Sequence, residues 1–212
     1  MRHIPLSEIL EAPPLWRRHL INSISGYKSA NLIGTISPSG IANLSLISSV
    51  VHLGASPPLQ GFVMRPLSVE RQTYEYIKEV GQYTINHVHL DFIDKAHYAS
   101  AKFDRSTSEY EACHLTPVYL DDHKAPFVGE SKIKMAMKYE DEYLIKQNNT
   151  IFIIGSIQAL YIDESCILED GNIDLSIVDD VAVSGLETYY KVEKEKHFAF
   201  ARVGQWPRNS NH

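Results

Sequence analysis

The stretch NLIGTISPSGIANLSLISSVVHLGASPPLQGFVMRPLSVERQT, residues 31–73, decides how the rest of the chain is read. Two short apolar runs, 31–37 and 41–47, flank the sequence Pro38-Ser39-Gly40. β-Branched residues on both sides of a turn whose glycine can adopt positive φ predict a β-hairpin. The second run leads into small polar side chains, Asn43, Ser45, Ser48 and Ser49, and not into charge. A third strand is expected over residues 59–65, after the break at Pro57-Pro58, ending on Arg65. A helix is predicted over residues 68–80, with Ser68 as N-cap, Arg71 and Thr73 in its first turn and Gly81 as its stop. Hydroxyls, free N–H groups and guanidiniums therefore converge near strand ends and one helix N-terminus, a setting that favours an anion. From the residues alone, this reads as a phosphate site.

Outward from this stretch, strands dominate. Residues 1–14 read as an arm unlikely to support itself, and 15–24 (LWRRHLINSI) has helical spacing. Downstream, 82–88 alternates as a strand, 91–101 reads as a helix, 104–111 as a loop and 114–120 as a short strand. Residues 130–139 alternate strictly, with Ile133, Met135 and Met137 on one face. A longer strand is expected over 150–162, and its interior Gly155 marks a bulge or a close approach. Residues 142–149 read as the polar connection between these two strands. Residues 163–173 and 174–181 read as short helices or turns, and 188–193 and 198–203 as extended pieces. Strands that do not alternate regularly with helices point to an all-β architecture with inserted helices, not to a parallel α/β sheet.

Composition narrows the function classes. The chain has 212 residues, 44% apolar and 22% charged, enough for one sizeable core. A formal net charge of −6 argues against a general nucleic-acid binder, which needs a basic surface. Cys113 and Cys166 lack CxxC spacing and read as small buried groups in a reducing compartment. The N-terminus has no apolar leader-like region and no run approaches the ~18 residues that span a bilayer, so a cytoplasmic protein without membrane contact is expected. His87 and His89 share a strand face, but no cysteine or carboxylate stands at zinc-ligand spacing, and no metal is expected. Tyr189, Tyr190 and Trp206 read as core or dimer packing.

Taken in order, these motifs resemble the flavin reductase-like proteins with an FMN-binding split barrel. The resemblance runs over about residues 31–203. It rests on Asn43-Leu44-Ser45 followed by Ser48-Ser49 and Pro57-Pro58, and on Arg65, Thr73 and Ile85-Asn86. Ala101-Lys102-Phe103, Gly155-Ser156-Ile157, Gly171, Gly185 and Tyr189 complete the pattern. It implies a Greek-key split β-barrel over residues 29–205, flanked by an arm and short helix at 1–28 and a tail at 206–212. It also implies a homodimer with FMN, or alternatively FAD, in a groove near the dimer interface. Carried over by position, Asn43, Ser45, Ser48 and Ser49 would line the ring and ribityl chain. Arg65, Arg71 and Thr73 would hold the phosphate, and Lys102 and Phe103 would close the groove.

The implied activity is an oxidoreductase that takes hydride from NADH or NADPH at flavin N5 and passes electrons to a small acceptor or free flavin. Hydride chemistry belongs to the cofactor, so no catalytic acid, base or nucleophile is expected. The sequence also departs from the family pattern. Many NAD(P)H-dependent members carry Gly-Asp-His on a late strand, whereas Gly129-Glu130-Ser131 and Gly155-Ser156-Ile157 supply no histidine here. The arginine often found before the late glycine pair is replaced by Val183. The alternative is therefore an FMN-binding electron carrier without its own nicotinamide reductase activity.

Overall fold

The computed structural model describes residues 1–198 and 200–206. A short helix not foreseen in the arm, α1 (Leu6–Glu11), precedes α2 (Pro14–Ser23), which forms where helical spacing was read at 15–24, and neither buries a residue. Pro14 at the first position of α2 suits a helix start, because its missing N–H would lack a partner there anyway.

The expected hairpin forms. A two-residue strand, β1 (Lys28–Ser29), leads into β2 (Asn31–Ile36), which pairs antiparallel with β3 (Ala42–Ile47). Gly40 takes φ 91° in the turn, and Ser37 Oγ accepts the Ile41 N–H at 2.9 Å. A strand not foreseen, β4 (Val51–Ala55), precedes β5 (Pro58–Met64). β4 shows no alternation to read, because four of its five residues are exposed at a sheet edge.

Helix α3 (Gln72–Val80) begins later than expected, and Ser68 is not its cap. Arg71 occupies the N-cap position, where no side chain caps the helix. Val69 is exposed, so nothing rewards extending the apolar stripe back to it. Gly81 ends the helix as expected: it is left-handed at φ 76°, and its N–H reaches the Ile77 carbonyl at 2.9 Å.

Strand β6 (Gln82–His87) is followed by a 3-10 turn at Leu90–Phe92 and the short α4 (Ile93–Tyr98). The stretch expected as a loop contains α5 (Glu109–Ala112), held by two buried side chains. The Tyr110 hydroxyl donates to the Pro126 carbonyl at 2.8 Å, and a Glu109 carboxylate oxygen accepts the Leu44 N–H at 3.0 Å. Strands β7 (Pro117–Val118) and β8 (Phe127–Val128) are minimal.

Next come β9 (Ile133–Ile145) and β10 (Thr150–Ile162). The bounds of β10 match expectation, but β9 runs on from Glu140 through Ile145, into the stretch 142–149 read as a connection. Contacts to other elements hold those residues extended. Tyr74 donates to Glu142 at 2.9 Å, and Ser156 donates to Glu140 at 2.6 Å. Residues 163–173 yield only a 3-10 turn at Glu164–Cys166 and a single bridge, Ile167 to Ile173. No helix forms over 174–180; the chain turns into β11 (Val181–Ser184) and then β12 (Thr188–Lys191). Of the expected strand at 198–203, isolated bridge positions are present at Phe198 and between Arg202 and Gln205, and Ala199 lies outside the described residues. Trp206 is 89% exposed and not core, and the rest of the tail lies outside the described residues.

The main sheet is antiparallel, with strand order β3-β2-β6-β9-β10-β5-β4. Its two edge strands are joined by residues 48–50 alone. Seven strands laid flat would separate those edges by roughly 29 Å at ~4.8 Å per strand, whereas the chain from Ile47 to Val51 reaches at most about 14 Å. The sheet must curl until its edges approach. Side chains from five strands then meet on one face, with Ile33, Ile85, Met137, Ile153 and Phe62 all fully buried beneath Ile77 of α3. The opposite face of β2, β3 and β6 is covered by α4, α5 and a small sheet of order β1-β11-β12, around Leu32, Leu44, Val88 and Tyr110.

Candidate functional site

Curling brings the end of β3 beside β5, and Ser49 makes the junction. Its hydroxyl accepts the Val63 N–H at 3.0 Å and faces the Val63 carbonyl at 3.3 Å. Beside this junction lies an open groove of about 400 Å³, within the ~300–1,000 Å³ of small-molecule and cofactor sites. Ser48, Ser49, Val63 and Phe152 line it together with Tyr27 and Ser29. The lining is mostly apolar, with the hydroxyls of Ser29, Ser48 and Ser49 and the side chain of Lys28 among it. Ser48 makes no side-chain hydrogen bond among the described residues, so its hydroxyl is available to a ligand.

Arg65 stands one residue past the end of β5 and two past Val63, about 7 Å farther along an extended chain. It has no hydrogen-bond or ion-pair partner among the described residues. Arg71 is half-buried at the start of α3 and has no carboxylate partner among them; its Nε–H points at the Pro66 carbonyl, 3.4 Å away. Burial, and then the charge of Arg65, lower the Arg71 pKa below its ordinary value. Two like charges therefore lie within range of each other, neither paired with a carboxylate among the described residues, at a helix start where the N-cap makes no side-chain hydrogen bond. An anion there would satisfy the free N–H groups of the first turn and relieve the repulsion between the guanidiniums.

Asn43 and Thr73 come together behind these arginines. Asn43 Nδ2 donates to Thr35 Oγ1 at 2.9 Å and to Thr73 Oγ1 at 3.0 Å, and all three residues are buried. This network ties α3 to the hairpin and sets where Arg71 stands. Ser45 lies on the same face of β3 as Asn43 and makes no side-chain hydrogen bond among the described residues. Lys102 is exposed and has no partner among them either. Phe103 packs edge-on against Tyr98 at 5.3 Å and joins the helix-covered core. The structure thus makes two groups, Asn43–Thr73–Arg71–Arg65 and the Ser48–Ser49 groove, linked through the chain from Val63 to Arg65, and no contact of Lys102 or Phe103 with either is present among the described residues.

Four features escaped sequence reasoning. Tyr27 and Ser29 carry no motif. Phe152 reaches the groove because it is the cross-strand partner of Val63, a pairing set by register. Arg105 binds Glu70 and Glu75 at the start of α3, across 30 or more residues of chain. His87 and His89 both face Asp180, with His87 Nδ1 3.0 Å from its carboxylate.

A family model described as a flavin reductase like domain matches residues 26–172. Among solved structures, a putative flavin reductase with split barrel domain from Shewanella frigidimarina NCIMB 400 is 45% identical, with a TM-score of 0.92 over 95% of this chain and 100% of that one. Nitrilotriacetate monooxygenase component B from Bacillus cereus has a TM-score of 0.81 at 18% identity, over 93% of this chain and 98% of that one, which is a likeness of fold. The flavoredoxin of Desulfovibrio vulgaris (Miyazaki F) has a TM-score of 0.70 at 25% identity, over 84% of this chain and 92% of that one. With the matched domain spanning most of the chain, the protein belongs to the flavin reductase-like family.

Proposed function

We propose that this protein binds FMN in the groove beside Ser48 and Ser49 and acts as a flavin-dependent oxidoreductase. The observation that carries this reading is the unpaired Arg65–Arg71 couple at the uncapped start of α3, adjoining an open apolar groove. A terminal phosphate is a dianion with three acceptor oxygens, and planar guanidiniums offer it paired donors. Val63 and Phe152 would cover part of the ring, while Ser48 offers a hydroxyl to its polar edge. When bound, the flavin would supply hydride exchange at N5, taking hydride from NADH or NADPH for a small acceptor or free flavin. The open side of the groove leaves room for the nicotinamide. Two free, buried cysteines suit a reducing cytoplasm.

The test combines a visible spectrum with steady-state kinetics. The purified protein should bind added FMN and oxidise NADH or NADPH faster than free FMN does; no turnover above that background would rule out the reductase activity. A second reading, an FMN-binding electron carrier without nicotinamide activity, draws on Glu130. Glu130 stands in one of the two segments where a histidine was sought, and its carboxylate is occupied by the Thr116 N–H and hydroxyl, each at 3.1 Å. Tight FMN retention with slow reduction by both nicotinamides would select this reading.

A further inference from the structure

Two carboxylates stand where the phosphate is proposed to bind. Glu70 immediately precedes the N-cap residue Arg71, and Glu75 lies in the first turn of α3. Negative charge there stabilises the helix but repels an incoming anion. Arg105 takes up both: one guanidinium nitrogen pairs with Glu70, and Nη2 lies 2.8 Å from Glu75 Oε2. The same guanidinium lies 5.7 Å from the centre of the Tyr76 ring. Arg71 directly follows Glu70 in the chain, yet neither it nor Arg65 pairs with a carboxylate among the described residues. Arg65 and Arg71 alone would be balanced by Glu70 and Glu75; Arg105 makes the cluster net positive.

We propose that Arg105 is a positioning residue for the cofactor phosphate. By occupying Glu70 and Glu75 it keeps Arg65 and Arg71 free and sets the sign of the field at the start of α3. The inference rests on the reading that phosphate binds there. Arg105 need not touch the flavin. The loop that carries it is also held by Phe103 against Tyr98, so the cationic group is presented from a segment anchored on two sides.

Fluorescence titration of the full chain with FMN and with riboflavin, which lacks the phosphate, tests the proposal. Arg105→Gln should weaken FMN by about fivefold at low ionic strength, the scale of one exposed charge pair, and leave riboflavin unchanged. Arg105→Gln combined with Glu70→Gln and Glu75→Gln should restore FMN affinity to within about twofold of the parent, because the carboxylates that needed masking are gone. Three results would overturn it. Unchanged FMN affinity in Arg105→Gln would show that masking does not matter. A triple variant as weak as the single one would mean that Arg105 contacts the phosphate itself. A parallel loss of riboflavin would mean that it only supports the fold. Arg65→Gln separates this from failure of the underlying reading: if that change leaves FMN affinity intact, the phosphate is elsewhere and the inference goes with it.

Discussion

Arg71 is held in an electrostatically unfavourable place. Its proton affinity is lowered by burial and by Arg65, and among the described residues no carboxylate compensates it. The Asn43–Thr73 bond ties down the helix start that carries it, so in the proposed site the arginines would bind and the amide–hydroxyl pair would position. Replacing Arg65 by Ala should weaken FMN binding by roughly 1.5–3 kcal/mol, the range for a hydrogen bond to a charged group, with little change for riboflavin. Ser49 reads differently in the structure than in the sequence, because its hydroxyl already serves Val63. A serine at a strand end looks the same in sequence whether it awaits a ligand or pins a neighbouring strand.

His89 gives a prediction for pH at the same scale. Burial lowers its pKa to about 4, and Nε2 accepts the Lys132 N–H at 2.7 Å, so the neutral ring is the folded form. An unfolded imidazole titrates near ~6.5, so this stabilisation is fully present above that pH and is lost as pH falls from there towards about 4, by up to ~3 kcal/mol. Glu109 works in the opposite direction, since burial raises its carboxyl pKa and the fold then favours the protonated acid. Denaturant unfolding at neutral pH and at pH near 4 should show a smaller acid loss in His89→Gln, which keeps an acceptor without a titrating ring. An equal loss in both proteins would place the acid sensitivity elsewhere.

Among the elements, β10 was the most legible and β4 the least. β10 is long, β-branched and buried on one face, so its bounds follow from composition and period. β4 is an exposed edge strand, and its pairing with β5 leaves no local pattern. Helix α5 was unreadable for another reason. Glu109 and Tyr110 look like loop residues until the partners of their buried polar groups, Leu44 and Pro126, are known.

Gly155 marks both a bulge and a close approach. The β9–β10 register shifts between Ile154 and Gly155, and a Cβ on Gly155 would lie 2.1 Å from the Tyr83 hydroxyl. Gly155→Ala should therefore cost about 1–3 kcal/mol by overpacking. That hydroxyl is buried without a hydrogen-bond partner among the described residues, so Tyr83→Phe should be neutral or stabilising, and combining the two should recover part of the loss. Thermal or denaturant melts of the three variants check this; a destabilised Tyr83→Phe would show that the hydroxyl has a partner after all.

At the scale of the molecule, the curl of the sheet is the organising fact, and it could not be read locally. It follows from strand order, which joins two edges through three residues. The hairpin grammar and the motif order nevertheless led to the right family. The exposed arm raises a question of assembly. Leu6, Leu10, Leu15, Ile21 and Ile24 are at least half exposed, on two helices that bury nothing. We propose that a second copy of the chain covers this apolar surface in a homodimer. Sedimentation of the full chain should give a dimer, and Leu10→Glu with Ile21→Glu should weaken it; a monomer at micromolar concentration would contradict this assignment.

The phosphate grip is the claim on which the functional account turns, and comparing FMN with riboflavin isolates it. Titrated into the cofactor-free protein, FMN should bind at least about tenfold more tightly than riboflavin, since only FMN can engage Arg65, Arg71 and the start of α3. Equal affinities for the two flavins, or no binding of either, would contradict it.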